Sequence, residues 1–170
     1  INIIQVRDEV SAVFAADAVS RLTDSVGVAI VTAGPGVTNT ITAIKNAQMA
    51  QSPVLLIGGA AATLLKGRGS LQDIDQISLL KTYVKSAVSV KKTRDVIPTL
   101  ANALNTATSG VPGPVFVELP IDILYPEEDI RKEFINQLPK SGYFAKIAHW
   151  YVERHLNDLF SSKKSSIKVK

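Results

Sequence analysis

At 170 residues and 46% hydrophobic, the chain has room for one domain with a real core and not for two of ordinary size. The formal charge is +4, yet four lysines fall in the last ten residues and the remaining fifteen basic residues balance fifteen acids; the basicity is a tail, not a nucleic-acid footprint. With no cysteine there is neither a disulfide scaffold nor a thiolate metal site, and the longest apolar stretch, Pro53 to Leu65, holds two glycines and falls short of the roughly 20 residues of a membrane helix.

The run Ile1 to Val6 reads as a strand. Because the chain opens inside that run and its only methionine is Met49, the expectation is a domain truncated at its N-terminus. Asp8 is placed to cap a helix with an apolar face of Val10, Val13, Phe14, Ala18 and Leu22, which puts Glu9 in the first turn. An acid there is favoured by the helix dipole whether or not it has chemistry to do.

Val28 to Val31 form an uninterrupted apolar run, the pattern of a strand buried on both faces. Ala33-Gly34-Pro35-Gly36 stops it, and Val37, Ile41, Ile44 and Ala47 then fall on one helical face. Strand, glycine turn and helix make the first half of a βαβ unit, and ligands in open α/β sheets gather at the carboxyl ends of the strands. The turn matches neither the dinucleotide fingerprint nor a phosphate-binding P-loop, so by itself it is equally a tight connection.

Pro53 to Ile57 reads as another buried strand ending at Gly58-Gly59, followed by a loop over Ala60 to Gly69. Ser70 with Asp73 suggests a capping box before a short helix with Ile74, Ile77 and Leu80 inward. Tyr83 to Val90 alternates as a strand with Val84, Ser86, Val88 and Val90 on one face. Thr93 is placed to cap a helix carrying Val96, Leu100, Leu104 and Ala107, ended by Gly110 and Pro112, and Pro114 to Leu119 is a last strand. Strands alternating with helices predict an α/β fold, a parallel-sheet doubly wound domain with a C-terminal helical extension. The charged stretch 127–141 reads as a linker. Residues 142–160 read as an amphipathic helix with Phe144, Ile147, Tyr151 and His155 at helical spacing, widened by Trp150, Leu156 and Leu159, and 161–170 as a basic, disordered tail. His149 and His155 lie six apart, which does not bring both to one helix face for a metal, so both read as structural.

Four blocks, RDEVSAVFAADAVSRL, VTAGPGVTNTITAIKNAQMAQSPVLLIGG, GSLQDIDQISLLKTYVK and SGVPGPVFVELPIDI, together resemble the pyrimidine-binding domain of thiamine-diphosphate enzymes of the acetolactate synthase type over residues 1–126. LPIDILYP, the charged stretch and HWYVERHLNDLF narrow the likeness to the 2-hydroxyacyl-CoA lyase branch of that family, found in the endoplasmic reticulum membrane. The resemblance implies that Glu9 stands where the family glutamate hydrogen-bonds N1′ of the cofactor's aminopyrimidine and shares a proton with it, which activates the thiazolium carbon. It carries Gly34, Pro35, Gly36, Asn39 and Gln72 over as cofactor-contact positions. Burial in an assembled site is expected to raise the Glu9 pKa against the lowering influence of the helix terminus.

Two positions depart from the family pattern: Asp8 replaces its histidine, and Leu71 replaces an aromatic residue of the synthases. The family binds Mg²⁺ and the diphosphate through a Gly-Asp-Gly motif of another domain, at sites shared between subunits. No Gly-Asp-Gly occurs in this sequence. The implied function is half of a lyase that cleaves 2-hydroxy fatty acyl-CoA to formyl-CoA and a shortened aldehyde, with thiamine diphosphate and 2-hydroxyacyl-CoA as ligands, a homo-oligomer in the full-length protein, and no turnover by this chain alone. Half of an acetolactate-synthase-type carboligase, or a truncated non-catalytic product, are the alternatives.

Overall fold

The computed structural model describes residues 2–162 and 167–168. Helix α1 (Glu9–Leu22) leads into strand β1 (Gly27–Val31), helices α2 (Pro35–Asn39) and α3 (Ile41–Met49), and strand β2 (Val54–Ala60). Helix α4 (Gln76–Leu80), strand β3 (Ala87–Ser89), helix α5 (Val96–Thr108) and strand β4 (Val115–Pro120) follow, and helices α6 (Glu127–Asn136) and α7 (Tyr143–Leu159) complete the order. The four strands form one parallel sheet in the order β1-β2-β4-β3. The doubly wound α/β architecture expected from alternating strands and helices is the one observed.

Period-two alternation distributes the side chains of the two inner strands to both faces. Val54 and Leu56 of β2 and Phe116 of β4 join Val13, Ala16, Ile44 and Ala47 in one core beneath α1 and α3. Leu55 of β2 and Val115, Val117 and Leu119 of β4 join Ala103, Ala107, Ile130, Phe134, Val152 and Leu156 in a second, beneath α5, α6 and α7. Fully burying one such aliphatic side chain contributes roughly 1.5–3 kcal/mol, so two covered faces supply the driving force for a sheet of this size.

Helix α1 lies so close to β1 that a Cβ on Gly27 would come within 1.9 Å of the Ala16 carbonyl oxygen. A buried polar tie fixes it further. Asp17 accepts from Arg21 Nε at 2.9 Å, from Arg21 Nη2 at 2.8 Å and from Asn46 Nδ2 of α3 at 2.9 Å. On the other face, Asp122 accepts from the Thr63 N–H at 2.8 Å, and the Thr63 hydroxyl lies 2.7 Å from His155 Nε2, which anchors α7 to the exit of β2.

Several expectations are corrected. Residues 2–6 form no strand; they are exposed and pair with no strand among the described residues. Strand β1 is an edge, not a strand buried on both faces: Gly27, Ala29 and Val31 face the core, while Val28 is half exposed and Ile30 is 71% exposed. Helix α1 turns Val13, Ala16 and Asp17 inward and leaves Phe14 and Leu22 exposed, because the close approach at Gly27 selects the small-residue face. Helix α4 begins at Gln76, capped by Asp75 through the Ser78 N–H at 3.1 Å, whereas Asp73 instead accepts from the Gly67 N–H. Val84 and Val90 bracket a strand of only three residues and belong to different cores. Thr93 opens a short 3-10 turn, with Asp95 at the N-cap position of α5.

The charged stretch 127–141 contains α6, which buries Ile130 and Phe134. Helix α7 buries Ala145, Val152, Leu156 and Leu159, and presents Tyr143, Phe144, Ile147 and Trp150 outward, the reverse of the stripe read from the sequence apart from Leu156, Leu159 and the half-buried His155. Much of the basic tail, residues 163–166 and 169–170, lies outside the described residues. Among the described residues, no helix is long and apolar enough to cross a membrane.

Candidate functional site

Asp8 has extended backbone angles and accepts from the Ser11 N–H at 3.4 Å and the Ser11 hydroxyl at 3.2 Å, so it caps α1 as its position suggests. That cap fixes Glu9 as the first helical residue, with its carboxyl pointing across to the turn after β1. There Asn39 Nδ2, at the end of α2, donates to Glu9 Oε2 at 3.1 Å.

The turn itself is built from glycine geometry. Gly34 has φ +62°, which an L side chain rarely adopts, and a Cβ there would lie 2.9 Å from Gln72 Cβ. A Cβ on Gly36 would meet Thr32 Cγ2 at 2.6 Å and lie 3.6 Å from Glu9 Oε1. The two glycines thus leave a cradle of bare backbone between Glu9 on one side and Gln72 on the other. Pro35 starts α2, where its missing N–H costs nothing. Gln72 sits on the loop before α4 at φ +62°, one of two non-glycine residues with positive φ among the described residues.

All six residues singled out from the sequence, Glu9, Gly34, Pro35, Gly36, Asn39 and Gln72, therefore belong to one locality at the carboxyl end of β1. Glu9 is partly exposed, and Pro35, Asn39 and Gln72 are exposed, so the locality is an open shelf and not a closed pocket. An adjoining cleft of about 970 Å³ on the α6 side of the sheet shares Gln72 with the shelf and includes Leu71 in its lining, but neither Glu9 nor Asn39.

The Asn39 amide, followed by the Glu9 backbone N–H, holds the Glu9 carboxyl below the ordinary glutamate range against a smaller opposing influence of desolvation. In this chain by itself the balance therefore runs opposite to that expected for an assembled site. The donor set fits the aminopyrimidine half of thiamine diphosphate: a carboxyl for a ring nitrogen, side-chain amides for polar ring substituents, and glycine backbone where a flat ring must approach closely. Among the described residues no group of three His, Cys, Asp or Glu is placed to hold a metal. His149 Nε2 lies 3.3 Å from the Pro139 carbonyl oxygen and His155 bonds Thr63, both contacts that serve packing.

Sequence reasoning passed over what lies beneath the shelf. Gln76 accepts from the Gly34 N–H, and Glu118, fully buried at the end of β4, accepts from Gln76. The available signal was a lone acid inside the apolar run PVFVEL, where a charge is expensive unless it is paired.

Comparison with known proteins places the chain in a family. Residues 1–79 match the family described as thiamine pyrophosphate enzyme, N-terminal TPP binding domain. The chain is 59% identical over 161 residues to 2-hydroxyacyl-CoA lyase 2 of Danio rerio and 56% identical over 161 residues to that of Homo sapiens, in each case over 95% of this chain and 26% of the relative. It is 36% identical over 171 residues to the acetolactate synthase isozyme 3 large subunit of Escherichia coli strain K12, covering 99% of this chain and 30% of that protein. The chain thus spans about a quarter of the length of the lyase relatives it matches. It belongs to the thiamine pyrophosphate enzymes, as an N-terminal pyrimidine-binding domain homologous to that of the 2-hydroxyacyl-CoA lyase 2 proteins.

Proposed function

We propose that this chain supplies the pyrimidine side of a thiamine-diphosphate site in a 2-hydroxyacyl-CoA lyase, and that Glu9 is its catalytic residue. The observation that carries the reading is the placement of Glu9 by the α1 cap against the Gly34–Gly36 cradle, with Asn39 holding its carboxyl in place. Bound there, the cofactor supplies a carbon nucleophile and electron sink for cleaving the carbon–carbon bond next to a hydroxylated carbon. Glu9 holds and exchanges one proton at the pyrimidine ring nitrogen; Asn39 and Gln72 orient the ring edge, and the glycines admit it.

Closure of the shelf by a partner surface would remove water from Glu9 and raise its pKa toward the range in which a proton is shared. Mg²⁺ and the diphosphate are assigned to a Gly-Asp-Gly domain, a motif that this sequence does not contain. Turnover is assigned to an oligomer that brings the two sides together, and residence at the endoplasmic reticulum membrane is carried over from the family. The lyase reading is favoured over the synthase by the higher identity to the lyase relatives and by Leu71 at the position where synthases carry an aromatic residue.

The test joins this domain to a diphosphate-binding domain and assays thiamine-diphosphate-dependent release of formyl-CoA from a 2-hydroxyacyl-CoA, with acetolactate formation from pyruvate as the competing product. Glu9→Gln is expected to lower turnover by about 10²–10⁴-fold, the usual contribution of a positioned acid or base. Cofactor-dependent turnover that survives Glu9→Gln overturns the role of Glu9. Acetolactate in place of formyl-CoA overturns the substrate reading.

A further inference from the structure

Glu118 is fully buried, in register with Gly58 of β2 and Ser89 of β3, at a place where an aliphatic side chain would serve packing better. Its carboxylate is a junction. Oε2 accepts from Gln76 Nε2 at 2.8 Å, while Oε1 accepts from Ser89 Oγ at 2.7 Å and from the Lys66 ammonium. Gln76, itself 1% exposed, relays the connection: its Oε1 accepts from the Gly34 N–H at 2.7 Å, and its Nε2 also donates to the Gly59 carbonyl at 3.0 Å. Flipping that amide would set its oxygen against two acceptors and its nitrogen against a donor, so the network permits one orientation.

We propose that Glu118 and Gln76 are positioning residues for the cofactor-facing shelf: the buried carboxylate orients the Gln76 amide, which fixes the Gly34 N–H and with it the Gly34–Gly36 cradle opposite Glu9. The inference rests on the thiamine-diphosphate reading of that cradle. Neither residue is among those assigned to the cofactor; each acts through Gly34. The loop between β2 and α4 is held from the same junction, since Lys66 anchors one part of it and the Gly34 backbone abuts Gln72 in another. One carboxylate therefore sets the spacing between the two walls of the shelf.

The experiment measures amide hydrogen exchange at Gly34 in this chain without cofactor, using the amides of β2 and β4 as an internal record of global stability. Gln76→Leu removes the acceptor, and exchange at Gly34 is expected to accelerate by about tenfold beyond any change in the strands. The exchanged pair Gln76→Glu with Glu118→Gln restores an acceptor for the Gly34 N–H and a donor to it from position 118 but sets a carboxylate oxygen against the Gly59 carbonyl, so Gly34 is expected to regain part of its protection and to exchange more slowly than in Gln76→Leu. If Gln76→Leu does not fold, the exchanged pair is read by itself: Gly34 protected supports the proposal, and Gly34 unprotected in a folded chain overturns it. Acceleration spread equally over Gly34 and the strands also overturns it, because Gln76 would then act on stability alone. The cofactor reading is decided separately, by the turnover assay on this domain joined to a diphosphate-binding domain, so the exchange result at Gly34 and the cofactor reading stand or fall independently.

Discussion

At the first turn of α1, Glu9 is partly exposed and takes its one side-chain hydrogen bond from Asn39, whereas Asp17, about two turns further along the same helix, is 4% exposed and is met by both Arg21 and Asn46. Burial alone would push Asp17 up, but its hydrogen bonds from Arg21, Ser52 and Asn46 and the Arg21 charge outweigh this and hold it below the ordinary aspartate range. Both carboxyls are thus kept ionised, one by partners that enclose it and the other, at an open surface, by the Asn39 amide and its own backbone N–H. The contrast separates an acid whose work is complete within the chain from one that faces outward with capacity to spare.

The sharpest way to break that comparison is to delete each acid. Asp17→Ala leaves the Asn46 amide and part of the Arg21 guanidinium without their partner and is expected to cost about 2–4 kcal/mol, read from urea unfolding. Glu9→Gln, at a site with little packing to lose, is expected to stay within about 0.5 kcal/mol of the wild type in the same measurement. Equal losses would erase the distinction.

Acid removes part of the Asp17 contribution without a mutation. Because its folded pKa is lowered, the stabilisation is fully present above the unfolded value of about 3.9 and is lost as pH falls through the folded pKa. Urea midpoints followed from pH 7 downward should therefore fall less steeply below about pH 4 in Asp17→Asn than in the wild type. Gly36→Ala forces a methyl group against Thr32 Cγ2 and toward Glu9, with an expected loss of about 1–3 kcal/mol and weakened thiamine diphosphate binding. Asp8→Ala removes a cap whose backbone hydrogen bond is long at 3.4 Å, so a loss near the lower end of the usual range, about 0.5–1 kcal/mol, is expected from thermal unfolding.

The residues of the candidate shelf were named from the family resemblance; what the residues by themselves made legible was local. Asp8 and Glu9 are a cap and first-turn pair, Gly34-Pro35-Gly36 is a contiguous turn, and Asn39 follows within the same short helix. The faces of the elements were less legible. The apolar run Val28 to Val31 carries no mark of being an edge, and Phe14 and Leu22 follow a good helical period although α1 is rotated toward Ala16 by the close approach at Gly27. Periodicity reports that a helix has a face; packing decides which one is used. The same holds for α7, where Phe144 is 82% exposed despite its regular spacing with Ile147 and Tyr151.

By itself the sequence determined the alternation of strands and helices, hence the parallel sheet, because each element rests on residues close together in the chain, and the family, because four blocks recur together with their spacing. Only the tertiary structure decided that Glu118, Gln76 and Gly34 form one line of hydrogen bonds. These residues come from β4, α4 and the turn after β1, with more than forty positions between each relay partner, and no local pattern encodes a donor meeting an acceptor across that separation.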